Sequence, residues 1–354
     1  MLFSRTRTAL TRKARQYREW RDWDIVLEIE QREGDPLPAF ASSASADLVD
    51  WGDGEPPVQY SRSTATSSLT SMAVRTAPHD YAPGTYTIKI RVERGYYHTQ
   101  KRLILGALNT GSAYTAKMPQ LARVLKLDLG EVADSQNMFC KCARLEECCP
   151  VSGTRGMRNA ASMYYQCYRL GGELVLGDLP ACTNCSQMCS GCASLVSLTL
   201  GDLPALTNIY RMCYQCYNLE EVEMHADAGL IYAANEAFSG CYCLRRFTGA
   251  ARLRASGEGT ASTEKFGNLF NGCRRLESFP DILPPDGFER GARVTLQNLF
   301  NECRMMRGTA PSWLWDTSDP RYTAITTPGG MFSACFMLSN YADIPATYGG
   351  GVKF

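Results

Sequence analysis

The sequence predicts a multidomain, mostly β chain: an all-β sandwich followed by a solenoid, with parallel strands along one face of the solenoid and short helical segments along the other. Three observations predict it. One eight-residue motif recurs eight times in the later part of the chain, residues 23–105 show short alternating strands between turns, and every one of the sixteen cysteines falls after residue 139. With 354 residues the chain is long enough for a large buried core.

The first segment, residues 1–22, is basic. Arg5, Arg7, Arg12, Lys13, Arg15, Arg18 and Arg21 stand against Glu19 and Asp22. A solvated tail is one reading, and a segment that attaches the protein to a larger particle is the other. Leu10, Ala14 and Tyr17 fall at helical spacing and suit either.

Residues 23–105 read as strands. WDIVLEIEQ alternates, VDWGDG runs into a Gly/Asp turn, and HDYAPGTYTIKIRVE is a turn followed by a strand with Tyr86, Ile88, Ile90 and Val92 on one face. W-G-D-G at 51–54 and H-x-Y-x-x-G-x-Y-x-I at 79–88 resemble the signature of PKD-type, immunoglobulin-like domains. That resemblance implies a spacer or adhesive module. Asp50 and Asp53 flank the turn glycine and suit a turn better than a Ca²⁺ site. Residues 106–120 are expected to form a linker.

Residues 121–345 carry the array. MFCKCARL, MYYQCYRL, MCSGCASL, MCYQCYNL, AFSGCYCL, LFNGCRRL, LFNECRMM and MFSACFML share a template of apolar, aromatic or Cys, two variable residues, Cys, two variable residues, apolar. The template cysteines are Cys142, Cys167, Cys192, Cys216, Cys241, Cys273, Cys303 and Cys335, separated by 25, 25, 24, 25, 32, 30 and 32 residues. A period of this length means a solenoid, in which each unit buries its apolar stripe against its neighbours. Within one unit Leu198 and Leu200 alternate as a strand, Gly201–Pro204 is a turn, and Ile209, Met212, Cys213 and Cys216 at i, i+3, i+4, i+7 predict a short helix. Residues 346–354 are a tail.

This template, with its following strand and Leu-Pro turn, resembles the Treponema-type, or BspA-like, leucine-rich repeats of bacterial and phage surface proteins. The resemblance spans about residues 121–345, with insertions in the last three units and Met306 in place of Leu. It implies a curved solenoid that binds proteins or glycans, and it brings no catalytic residues.

The stretch CTNCSQMCSGC (182–192) has the two C-x-x-C pairs of a zinc knuckle. Aligned with the next unit, Cys182 falls on Leu206, Cys185 on Ile209 and Cys189 on Cys213, which are apolar core positions. Core packing is therefore the expected role, with a metal site or a redox pair as the alternatives. Disulfides between stacked template cysteines depend on Cβ orientation.

No cofactor and no catalytic residue is expected. The three histidines, His79, His98 and His225, belong to no catalytic motif, and no phosphate loop or H-E-x-x-H helix occurs. A formal charge of +1 argues against nucleic acid as partner, and no run of about 20 apolar residues predicts membrane insertion.

If Cys148, Leu174, Leu198, Val222, Phe247 and Phe279 point into the core, the residues before them point out of the sheet. That column reads Glu147, Glu173, Ser197, Glu221, Arg246, Ser278, and a second reads Val175, Thr199, Glu223, Thr248. Tyr168 and Tyr217 are further candidates for exposed aromatic contacts. A sheet face is polar wherever it meets water, so these columns are either ordinary solvated surface or a binding face for a cell-surface protein or glycan. The start of the chain lacks the apolar region of an export signal. The expected setting is therefore a virion or phage tail assembled in the host cytoplasm, with a receptor-binding role and contacts to other virion proteins through the N-terminus. A structural capsid or tail decoration protein, a bacterial surface adhesin and a homo-oligomer stand as alternatives.

Overall fold

The computed structural model describes residues 19–42, 47–60, 72–92, 102–107, 116–130, 132–225, 231–249, 253–254, 264–280, 282–284, 286–288, 294–319, 325–327 and 329–351. Arg5, Arg7, Arg12, Lys13, Arg15, Arg18 and His98 lie outside them.

The N-terminal part is built from antiparallel strands β1 (Ile25–Gln31), β2 (Ala39–Ser42), β3 (Asp47–Asp50), β4 (Val58–Tyr60), β5 (Ala73–Thr76), β6 (Gly84–Val92) and β7 (Leu103–Ile104). They form two sheets, of order β5-β2-β7 and β4-β3-β6-β1, and the second continues into β8 (Leu121–Leu127) and β9 (Glu147–Cys148). Alternation drives this: Ile88, Ile90 and Val92 of β6 are buried, as are Ile25, Leu27 and Ile29 of β1. The W-G-D-G turn anchors the core. Trp51 is buried beside Phe40, with ring centroids 5.8 Å apart, and its Nε1–H donates to Tyr60 Oη at 3.1 Å. A Cβ on Gly52, at φ +74°, would lie 2.4 Å from the Thr87 carbonyl, so glycine is required there. Asp50 Oδ1 accepts the Gly52 N–H and Asp53 Oδ1 the Glu55 N–H, and Asp50 Oδ2 pairs with Lys89 at 2.8 Å. Both carboxylates thus serve the turn.

β8 is the seam. It pairs antiparallel with β1 and parallel with β9, so the N-terminal sheet runs without a break into the first coil of the second part. Across the same junction Arg144 grips Asp35 with two hydrogen bonds of 2.6 and 2.8 Å. Residues 105–107 also stack on this coil: Leu105 and Gly106 N–H donate to Met138 O, and Ala107 N–H to Cys140 O.

The second part is a β-solenoid with almost no helix. Strands β10 (Gly172–Leu176), β11 (Leu195–Asp202), β12 (Glu221–His225) and β13 (Arg246–Thr248) form one parallel sheet. A second parallel sheet, β14 (Glu264–Lys265), β15 (Val294–Thr295) and β16 (Ile325–Thr327), continues the stack. A ladder of single bridges, Asp134–Asn159–Asn184–Asn208–Ala233, opens the first five units eight residues before the template cysteine, the position that β14, β15 and β16 hold in the last three. There Asn159, Asn184 and Asn208 accept the N–H two residues on through Oδ1, which starts the turn.

The helical segments expected after each strand are absent; from residue 121 on, the described residues form only four three-residue 3₁₀ turns and no α-helix. In their place each unit has a spiral with a four-residue repeat. The residues five and one before each template cysteine have positive φ in all eight units, from Asn137 (63°) and Lys141 (59°) to Gly330 (69°) and Ala334 (62°). N–H groups then alternate in direction. Met212, Tyr214 and Cys216 donate back three residues, whereas Ile209, Arg211, Cys213 and Gln215 donate forward to Ala233, Asn235, Ala237 and Ser239 of the next unit. A four-residue spiral buries i, i+3, i+4 and i+7 just as an α-helix does, so the apolar pattern is met without helical hydrogen bonds. Ile209, Met212, Cys213 and Cys216 are all fully buried.

The core is equally regular. Three residues before each template cysteine stand Phe139, Tyr164, Cys189, Cys213, Phe238, Phe270, Phe300 and Phe332, and neighbouring rings stack at 5.1 to 5.8 Å. Each carbonyl in this column from Phe139 to Phe300 accepts twice. Cys189 O, for example, takes the N–H of Cys192 at 2.9 Å and the thiol of Cys216 at 3.0 Å. The same S–H contact recurs from Cys167 to Cys335. Cysteine fits because it is small, apolar and still a weak donor. At the far end Phe332 N–H donates to Tyr348 O, in the 3₁₀ turn Ala346–Tyr348.

Candidate functional site

All eight template cysteines are buried and all sixteen are free thiols. Burial holds the Cys167 and Cys303 thiols well above the usual thiol range and pushes Cys335 up to about 12. Cys182, Cys185, Cys189 and Cys192 are each 0% exposed, with Cys182 and Cys185 Sγ 3.7 Å apart. Among the described residues no group of three or more His, Cys, Asp or Glu side chains converges as metal ligands.

The two sheet-face columns are brought together by register. Glu173, Ser197, Glu221 and Arg246 are successive partners across β10–β13, and so are Val175, Thr199, Glu223 and Thr248. Behind them Leu174, Leu198, Val222 and Phe247 are buried. Glu173, Glu221, Glu223, Arg246 and Thr248 are exposed, and Ser197 and Thr199 half-buried. Glu147 and Ser278 extend the column at its ends without sharing this sheet: Glu147 pairs with Arg123 of β8, and Ser278 bridges Arg307. The acidic stripe is partly neutralised by its own neighbours. Arg246 pairs with Glu221 across adjacent strands, and Arg123 reaches Glu28 at 2.9 Å and Glu147 at 3.8 Å.

A second surface lies along the turn edge, where the residue after each template cysteine forms its own column. It reads Ala143, Tyr168, Ala193, Tyr217, Tyr242, Arg274, Arg304, Phe336. Tyr168, Tyr217, Tyr242 and Phe336 are exposed, and Tyr217 stacks on Tyr242 at 5.3 Å and 17°. Arg274 covers the other face of Tyr242, with Cζ 4.9 Å from the ring centroid. Beside this stack lies a polar cavity of ≈ 290 Å³. Its floor is the column one residue before the template cysteine, Gln215, Gly240, Gly272 and Glu302. Positive φ explains the hollow: that position favours glycine, and two successive units use it, so two side chains are missing from the floor.

Tyr214, Ser239, Asn271 and Asn301, the column two residues before the template cysteine, line it together with Tyr242 and Arg274. Asn301 Nδ2 donates to Asn271 Oδ1 at 2.8 Å. Arg274 donates to Glu302 Oε2 through both Nε (3.1 Å) and Nη2 (3.0 Å). Sequence reasoning reached Tyr168 and Tyr217 but missed this cavity. The signal was in S-G-C-Y (239–242) and N-G-C-R (271–274), two units with glycine before the cysteine and a long planar side chain after it.

No family model, no curated protein and no solved structure matches this chain. Its geometry therefore carries the functional reading.

Proposed function

We propose that this is a non-enzymatic recognition protein, a BspA-like leucine-rich-repeat solenoid carried on a PKD-like, immunoglobulin-like module, that binds a cell-surface protein or glycan. The proposed setting is the outside of a virion, phage tail or bacterial cell, where the repeats it resembles occur.

One observation carries the reading. Inward positions repeat almost unchanged from unit to unit, as in the eight template cysteines, while outward positions in the same register change, as in Glu173, Ser197, Glu221 and Arg246. A constant interior holding a varied, rigid surface is the division of labour that repeat proteins use for binding. Co-sedimentation of the purified chain with bacterial cells tests it. Saturable binding is expected, weakened about tenfold by Glu173→Lys or Glu221→Lys if the sheet face makes the contact. Absence of binding to any cell or glycan surface would sink the reading.

A further inference from the structure

The turn-edge cavity has a chemistry that selects among ligands. Its volume, ≈ 290 Å³, sits at the small end of ligand pockets, about 300–1,000 Å³, and suits one or two sugar rings rather than a folded epitope. Few apolar surfaces line it, which disfavours a hydrophobic peptide anchor. Arg274 is paired with Glu302 through Nε and Nη2, and the carboxylate offsets its charge, which disfavours a phosphate or a sugar acid. What remains is a dense set of neutral groups that donate and accept. The Asn301–Asn271 bond uses one amide nitrogen and one amide oxygen, leaving Asn271 Nδ2 as donor and Asn301 Oδ1 as acceptor. Ser239 and the Tyr242 hydroxyl add groups that do both. Hydroxyls of a neutral saccharide match this alternation, because each hydroxyl also donates and accepts. Stacking against Tyr217 and Arg274 fixes the Tyr242 ring, so its hydroxyl meets a ligand without losing side-chain freedom.

We propose that this groove is a saccharide-binding site that takes a neutral pyranose unit, seated on Gly240 and Gly272 between Asn271 and Tyr242. The proposal rests on the recognition reading and deepens it, since it moves the glycan contact from the sheet face to the turn edge.

Gly240→Gln is the sharpest variant. Gln occupies the same column and backbone conformation at Gln166 and Gln215, and a Cβ at Gly240 would meet nothing closer than 3.5 Å. It refills the floor at the cost of the same strained backbone that Gln166 and Gln215 already bear, and a thermal melt checks that the fold is kept. Asn271→Ala removes the amide instead. The full chain is applied to an array of neutral and acidic oligosaccharides and to whole bacterial cells. Binding to neutral saccharides, reduced at least about tenfold by Gly240→Gln and by Asn271→Ala but unaffected by Glu173→Lys, is the expected result. Saccharide binding that survives both groove variants, or that is confined to acidic saccharides, overturns the proposal. Cell binding that is lost only in Glu173→Lys, with no saccharide bound, overturns the groove and leaves the recognition reading standing; no binding to either surface overturns both.

Discussion

At the residue scale, the backbone makes an unusual demand on side chains. Two positions per unit have positive φ, a conformation costing an L-residue about 1–2 kcal/mol, and most are filled by Asn, Gln, Glu, Lys, Arg or Ser rather than Gly. Ala334 has φ 62° and Gln166 φ 57°. Ala334→Gly should therefore raise stability by up to about 1 kcal/mol, while Gln166→Val, with a β-branch in that region, should lower it by about 2 kcal/mol. Urea titrations of the two variants against the parent check both signs; destabilisation by Ala334→Gly would show that strain there is absorbed elsewhere. Where a residue other than glycine fills such a position, it is not legible from the sequence. Lys141 or Glu302 occupies a place that glycine would have announced, and only stacking on neighbouring units keeps it there.

At the element scale, the period, the inward residues and the strand register were all readable. Pairs such as Glu173 with Ser197, and Ser197 with Glu221, follow from aligning units, because parallel strands in a solenoid inherit their register from the repeat. The helical segments were not readable, for the reason given by Ile209, Met212, Cys213 and Cys216: a four-residue spiral and an α-helix bury the same positions. The turn-edge cavity escaped because it arises from two missing side chains, at Gly240 and Gly272, brought together across a 32-residue unit. The strand ladder also sets the charge pairing of the sheet face. Arg246→Glu would place two carboxylates opposite each other on β12 and β13, and the melting temperature should fall at low salt. Raising the salt to about 0.5 M should close most of the gap, since exposed charges are screened over a few ångströms; a deficit that ignores salt would point to packing instead.

At the scale of the whole molecule, β8 makes the larger N-terminal sheet and the first coil of the solenoid one continuous hydrogen-bonded ladder. Arg144 reinforces the seam, and its hydrogen bonds hold the Asp35 carboxyl below its usual value of 3.8. A carboxylate with a lowered folded-state value stabilises the fold fully above its ordinary value, and this contribution is lost as pH falls through the lowered one. Asp35→Asn should therefore cost about 1 kcal/mol at pH 7, with the difference from the parent shrinking below about pH 4. Denaturation curves at pH 7 and at acid pH check it, and a difference that persists in acid would exclude the ion pair as its source.

The forward direction of the inter-unit hydrogen bonds has one more effect. Because each unit hands N–H groups to the next, the stack has a donor end and an acceptor end, as an actin-like filament has two unlike ends. Residues 105–107 occupy the acceptor end and Tyr348 meets the donor end. Residues outside the array thus take up ladder groups at both ends, which works against copies of the chain adding head to tail.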